Sequence, residues 1–312
     1  MAVLYMSETP ATQELKQRLA DFPTLVDALD YAALGRTGMN YYDRRCHLTA
    51  VVEYRMLKRQ AVAAAKRLLG LGLRKGDRVA LIADTAPGFA EVFFACQYAG
   101  LVPVPLSIPI GVGHHHSYVD KLRELFASCT PSAVLGDAQW MSFVHEAIDA
   151  TTQKFIGTAE ELGTLPLVDV ELASPQQDDI AYLQYTSGST RFPRGVVVTQ
   201  RSVMANLRGI SQDGIKLQAG DRCVSWLPFY HDMGLVGFVL TPVATQLSVD
   251  YLRTQDFAMR PRQWLNLMSR NRGTVSVAPP FGYDLCVRRC SESDTASLDL
   301  SRWRVAGVGA EP

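Results

Sequence analysis

Between Tyr185 and Gly195 the chain reads Tyr-Thr-Ser-Gly-Ser-Thr-Arg-Phe-Pro-Arg-Gly, which sets four hydroxyl side chains, two glycines and two arginines behind the apolar strand Ile180 to Leu183. Glycine lets the backbone curl so that several N–H groups converge on one concavity, which is an anion site. Rotatable Ser and Thr hydroxyls add donors, and arginine adds planar, permanently charged forks suited to phosphate. A loop of this composition is suited to holding a polyphosphate. It is not the ordinary P-loop, which needs glycine, four residues and Gly-Lys-Ser/Thr running into a helix. Here six residues separate Gly188 from Gly195, and Val196 to Thr199 reads as a strand. The plain alternative is a hydroxyl-rich hairpin turn with no ligand, since Ser, Thr, Gly and Pro dominate turns.

Farther along, His231 lies between Phe229-Tyr230 and Asp232-Met233-Gly234. A neutral imidazole can donate a hydrogen bond to a carboxylate or phosphate, and a slender ring can swing as a gate. The competing reading is a structural histidine capping a helix that begins near Asp232, and Asp232 itself suits the N-cap position. His114-His115-His116 invites a metal assignment, but consecutive side chains diverge and no Cys or acidic residue flanks them closely, so a solvated loop is expected there. The arginines at 253, 260, 262, 270 and 272 form a loose basic region, read as a solvated face, with an acidic carrier protein as the alternative.

The elements that must position these groups follow from periodicity. Val51 to Leu71 reads as a helix, Arg78 to Ala83 as a buried strand, Phe89 to Ala99 as a helix and Leu101 to Leu106 as a strand. Tyr118 to Cys129 reads as a helix, Ala133 to Leu135 as a strand and Ala138 to Ala150 as a helix. Beyond a linker at Ser174 to Asp179 the alternation resumes, with strands near 196–199, 222–227, 247–251, 274–277 and 305–308. Helices are expected at 202–211, 233–243, 262–270 and 280–289. Such alternation predicts mostly parallel sheets covered by helices. The helix 233–243, almost free of charge, suits either a core or the wall of an acyl tunnel. Pro279-Pro280-Phe281-Gly282-Tyr283 suits a helix start, for which the prolines suffice.

At 312 residues, 47% apolar and 20% charged, the chain is sized and composed for a buried core. Lys plus Arg balance Asp plus Glu at 31 each, which gives no broad electrostatic reason to expect nucleic acid or an acidic membrane as partner. Six cysteines lie scattered without a CxxC, as expected of buried free thiols in a reducing cytoplasm. No signal peptide or spanning helix is expected.

The run Tyr185 to Thr190 with Pro193, Arg194 and Gly195 resembles the phosphate-loop signature of the adenylate-forming superfamily, which comprises acyl-CoA synthetases, adenylation domains and luciferases. Most members carry Gly where this chain has Arg191, and Lys where it has Arg194. An Arg after Ser-Thr, preceded by Leu183-Gln184-Tyr185, is similar to the fatty acyl-AMP ligase branch. Ser225-Trp226-Leu227-Pro228-Phe229-Tyr230-His231-Asp232-Met233-Gly234-Leu235 resembles that branch's acyl-gate motif, and Gly309-Ala310-Glu311-Pro312 resembles the loop that lies along adenine. The resemblance runs along nearly the whole chain.

What the resemblance implies is an α/β fold of interleaved sheets sandwiched by helices, as in the large N-terminal domain of these enzymes, here truncated. Residues 1–175 would form a first α/β lobe, and 176–312 an incomplete second lobe with the phosphate loop and acyl gate. The C-terminal lysine-bearing domain would be absent. The implied reaction is ATP-dependent activation of a fatty acid to acyl-adenylate with release of pyrophosphate, for transfer to an acyl carrier protein, with ATP and Mg²⁺ as cofactors. Thr186, Ser187, Gly188, Ser189 and Thr190 would cradle the phosphates with Gly195, while Arg191 and Arg194 offset their charge. His231 would be the catalytic gate, Pro279 to Tyr283 would by family position lie at the acyl pocket, and Gly309, Ala310, Glu311 and Pro312 would begin the adenine wall. The alternatives are an acyl-CoA synthetase, with CoA as acceptor, and a truncated, non-catalytic relative that binds nucleotide or acyl chain. Weak nucleotide binding and little or no turnover are expected of these 312 residues alone.

Overall fold

Short runs rich in β-branched and small residues form most of the strands, and a helical stretch follows most of them. The computed structural model describes residues 15–109, 115–148, 151–172, 174–185 and 194–309. The strands are β1 (Gly38–Tyr42), β2 (Leu48–Glu53), β3 (Arg78–Ile82), β4 (Val102–Leu106), β5 (Ala133–Leu135), β6 (Phe155–Gly157), β7 (Ile180–Tyr185), β8 (Gly195–Thr199), β9 (Arg222–Ser225), β10 (Ser248–Leu252), β11 (Val275–Ala278) and β12 (Val305–Val308). They make a six-stranded sheet in the order β12-β11-β9-β10-β1-β2, a four-stranded sheet in the order β4-β3-β5-β6, and the antiparallel pair β7-β8. Every pairing in the first two sheets is parallel except β1 with β2. The fold is thus α/β with interleaved sheets flanked by helices, and residues on both sides of position 175 share the largest sheet.

Several boundaries differ from the sequence-based expectation. The helix expected from Val51 begins at Tyr54, because Val51 and Val52 pair with Asn40 and Met39 in β2; β-branched side chains favour that pleated setting. The stretch 138–150 opens as a 3₁₀ turn, Ala138–Trp140, before the helix Met141–Ala147. The helix near 202–211 runs Gln200–Arg208 and then widens to π geometry over Gly209–Gly214. The stretch at 233–243 is helical from Asp232, with π geometry over Leu235–Leu240. His115 and His116 open the helix His115–Cys129 rather than a solvated loop, and the His115 ring lies 2.6 Å from Glu146. His114 lies outside the described residues.

Leu57, Ala61, Ala64, Ala65 and Leu68 form the buried stripe of the helix Tyr54–Gly70, at the three- and four-residue spacing of one helical face. That stripe packs on the helix Pro87–Ala99, buried on nearly every side, whose proline start places a residue without an N–H where none is needed. In the large sheet, Asp250 is fully buried and accepts from Arg222 Nε at 2.7 Å and Nη2 at 2.6 Å, and from the Asn40 and Asn271 amides. A bidentate guanidinium and two amides offset the desolvation of that carboxylate and tie β1, β9 and β10 together.

Candidate functional site

Ligands of open parallel sheets bind outside the carboxyl ends of the strands. Residues 226–231 follow the carboxyl end of β9, and Gly309 follows that of β12. Phe229 is fully buried, its ring 5.2 Å from Phe89 and 4.9 Å from Tyr251, and it anchors the segment in the core. The chain then turns, with His231 N–H donating to the Pro228 carbonyl at 3.3 Å, and the helix Asp232–Gly234 begins. Gly234 makes the turn possible. A Cβ there would sit 2.9 Å from the Pro228 carbonyl carbon and closer still to its oxygen.

His231, not Asp232, occupies the N-cap position, and its ring makes no capping bond. Asp232 is the first helical residue and accepts from the Met233 N–H at 2.7 Å. The His231 ring, 4.9 Å from that of Tyr230, is exposed on one side. Burial on the other side lowers its pKa, Asp232 opposes that shift and Lys121 adds to it. The ring is therefore held neutral more readily than an ordinary histidine. Beside it the Tyr230 phenol is pushed up by burial and by Asp84.

The hydroxyl- and glycine-rich run is carried by β7 and β8. Tyr185 pairs with Gly195 and Gln184 with Val196, so the two ends of the run meet in one hairpin. Arg194 and Gly195 are exposed at its base. Thr186, Ser187, Gly188, Ser189, Thr190 and Arg191 lie outside the described residues, as do Ala310, Glu311 and Pro312. Two contacts bring the separate stretches together. Gln184 Nε2 donates to the Tyr230 carbonyl at 2.6 Å, and a Cβ built on Gly309 would lie 3.4 Å from Met233 Cε. The carboxyl end of β7, the His231 turn and the start of the Gly309 stretch therefore share one place.

Sequence reasoning missed Gln184 as a tie between these stretches, and Lys121, which reaches the site from the helix His115–Cys129 and donates to Ser107 Oγ at 3.2 Å. Gln184 stands within the Leu183-Gln184-Tyr185 run, but nothing in that run shows that its side chain reaches Tyr230, and no local pattern marks Lys121. Of the ambiguous apolar stretches, Leu235 and Phe238 to Ala244 are buried in the core. Pro279 and Pro280 start the helix Pro280–Arg289, whose Gly282 lies so near Trp226 that a Cβ would stand 2.6 Å from the indole. The arginines separate: Arg262 pairs with Asp294, and Arg270 donates to the Cys46 carbonyl at 2.8 Å.

All six cysteines are free thiols, and burial raises the pKa of each, so none is an activated nucleophile. Among the described residues no group of three His, Cys, Asp or Glu side chains could hold a metal, and no helix is long and apolar enough to cross a membrane. A cleft of about 1210 Å³ opens at the other end of the large sheet, at the starts of β9, β10 and β11; Arg272 lines it, but His231, Arg194, Gly195 and Gly309 do not.

Known proteins give the arrangement a family. A putative acyl-CoA synthetase of Caulobacter vibrioides is 41% identical over 303 residues, covering 97% of this chain and 53% of that protein. A long-chain fatty acid–AMP ligase of Mycobacterium marinum is 35% identical, covering 72% of this chain and 39% of its own length. A structure from a study of fatty acyl-adenylate ligases of E. coli and L. pneumophila superposes with TM-score 0.92 at 66% identity, covering 95% of this chain and 54% of that one. The fatty acyl-adenylate ligase of L. pneumophila, in complex with acyl adenylate and pyrophosphate, superposes with TM-score 0.84 at 31% identity, covering 96% and 52%. The chain thus spans from about two-fifths to a little over half the length of these relatives. Residues 36–312 match the AMP-binding enzyme family, and the chain belongs to that family.

Proposed function

We propose that this chain supplies the ATP- and carboxylate-binding face of a fatty acyl-AMP ligase. A carboxylate oxygen of the fatty acid attacks the α-phosphorus of ATP, the bond to the bridging oxygen breaks, and acyl-AMP and pyrophosphate form. Little covalent work falls to the protein, so positioning and charge neutralisation carry the step. Thr186 to Thr190 and Gly195 cradle the β- and γ-phosphates, Arg191 and Arg194 offset their charge, and Mg²⁺ enters with ATP. The neutral ring of His231 donates a hydrogen bond to the acyl carboxylate or the phosphate it joins. Gly309 to Pro312 begin the wall along adenine. The acyl group then passes to the thiol of an acyl carrier protein. The relative named a putative acyl-CoA synthetase supports CoA as a second acceptor.

One observation carries the reading. The strand that leads into the hydroxyl and glycine run is hydrogen-bonded to the turn that presents His231, with Gly309 against the same turn. Titration calorimetry with ATP, and with a non-hydrolysable dodecanoyl-adenylate mimic, tests it. The native chain binds both, Arg191→Gln with Arg194→Gln weakens ATP, and His231→Ala weakens the mimic. A folded native chain that binds neither overturns the proposal.

A further inference from the structure

We propose that Gln184 is a positioning residue for His231, holding the Tyr230 carbonyl from β7 and so fixing the turn that presents the imidazole. The inference rests on the reading of His231 as the group that meets the acyl carboxylate. A strand alternates its side chains, so Gln184 shares a face with Tyr182 and opposes Leu183 and Tyr185. Tyr182 is buried against Phe93 and feels the charge of Asp232, which puts this face toward the His231 turn. A carbonyl can only accept, so the Gln184 amide nitrogen must be the atom that faces Tyr230.

The other anchors of the turn are the buried Phe229 ring and the Leu235 N–H, which donates to the His231 carbonyl at 2.8 Å. Its internal bond, from His231 N–H to the Pro228 carbonyl, is long at 3.3 Å. Among the described residues no other hydrogen bond joins the Tyr230–His231 peptide to a neighbouring strand. The remaining capacity of Gln184 also points to the site: its Oε1 is enclosed and has no partner among the described residues. One side chain thus ties the strand that leads into the phosphate-binding run to the turn that carries the imidazole. The charged groups that act on that imidazole are Asp232, on its own helix, and Lys121, on the helix His115–Cys129.

Amide exchange and ring titration by NMR on the unliganded chain test the inference, with Gln184→Met, which keeps the length without the bond, and Gln184→Asn, which keeps the amide but falls short. In both variants the His231 N–H exchanges about tenfold faster, the factor that corresponds to losing about 1.4 kcal/mol of local protection. The His231 ring titrates higher, nearer an ordinary histidine, as its buried side gains water. The amides of β9 and β10 keep their native exchange rates. Unchanged His231 signals in both variants overturn the proposal, and so does uniform acceleration across β9 and β10, which would report strand packing alone. Neither readout involves ATP or fatty acid, so a failure to bind nucleotide would sink the proposed function and leave this result standing.

Discussion

Gly234→Ala is a substitution for which helix propensity and packing give opposite signs. The residue is helical, with φ −74° and ψ −50°, and Ala in a helix is ordinarily favoured over Gly by about 1 kcal/mol. Packing opposes that gain. The new Cβ would lie 2.9 Å from the Pro228 carbonyl carbon, about 0.6 Å inside the shortest comfortable carbon–carbon separation of roughly 3.5 Å, and 3.2 Å from the Leu227 oxygen. Both neighbours are backbone and cannot rotate away, so the upper end of the about 1–3 kcal/mol range for overpacking applies. Subtracting the propensity gain leaves a loss of about 2 kcal/mol. Gly237, three residues on, would place its Cβ with nothing within 4 Å, so Gly237→Ala keeps the gain of up to about 1 kcal/mol. Urea unfolding of the two variants under one set of conditions should separate them by about 3 kcal/mol, with the native chain between. If Gly234→Ala matches or exceeds Gly237→Ala in stability, the close approach of the helix to Pro228 is wrong, and with it the geometry that presents His231.

Other outcomes follow from the same contacts. Asp250→Ala leaves the Arg222 guanidinium without its carboxylate in the large sheet and should destabilise the chain by about 3 kcal/mol, read as a lower urea midpoint. His231 has a folded pKa below its ordinary 6.5, so as pH falls the unfolded chain takes the proton first. Its contribution to stability is therefore full above about pH 6.5 and is lost as pH falls from there toward the folded value. His231→Gln should flatten that part of the thermal-midpoint profile, and an unchanged slope would show that the ring does not titrate below its ordinary value. Replacing Arg191 and Arg194 together by Gln should weaken ATP at least about tenfold by calorimetry, since hydrogen bonds to charged groups contribute about 1.5–3 kcal/mol each.

What was legible in the sequence is what local chemistry encodes. The helices Arg262–Arg270 and Pro280–Arg289 and the strand Val305–Val308 lie where the pattern puts them, because prolines and abrupt changes of period mark their ends. The strand Gly38–Tyr42 was not legible. Its parallel partner is 210 residues away at Asp250, and Gly-Met-Asn-Tyr-Tyr shows no alternation on its own. Val51 and Val52 were drawn into the helical reading because the long period after Tyr54 is strong, while the pairing that claims them is with β1. At the candidate site, the hydroxyl- and glycine-rich run and His231 stand out by residue type and spacing. The Gln184 amide that joins them does not, since a glutamine that reaches a distant carbonyl looks like any half-buried strand residue.

The partnership of β1 with β10 also has a temporal meaning. Asn40 leaves the ribosome 210 residues before Asp250, its hydrogen-bonding partner. At synthesis rates of about 5–20 residues per second, that gap lasts on the order of 10–40 s. Throughout it, β1 and β2 wait as a hairpin with one unsatisfied edge, and such edges recruit other chains. The nascent polypeptide therefore passes through a long interval with that edge open, β1 meets its parallel partner only after four-fifths of this sequence has been made, and the largest sheet is complete only with β12.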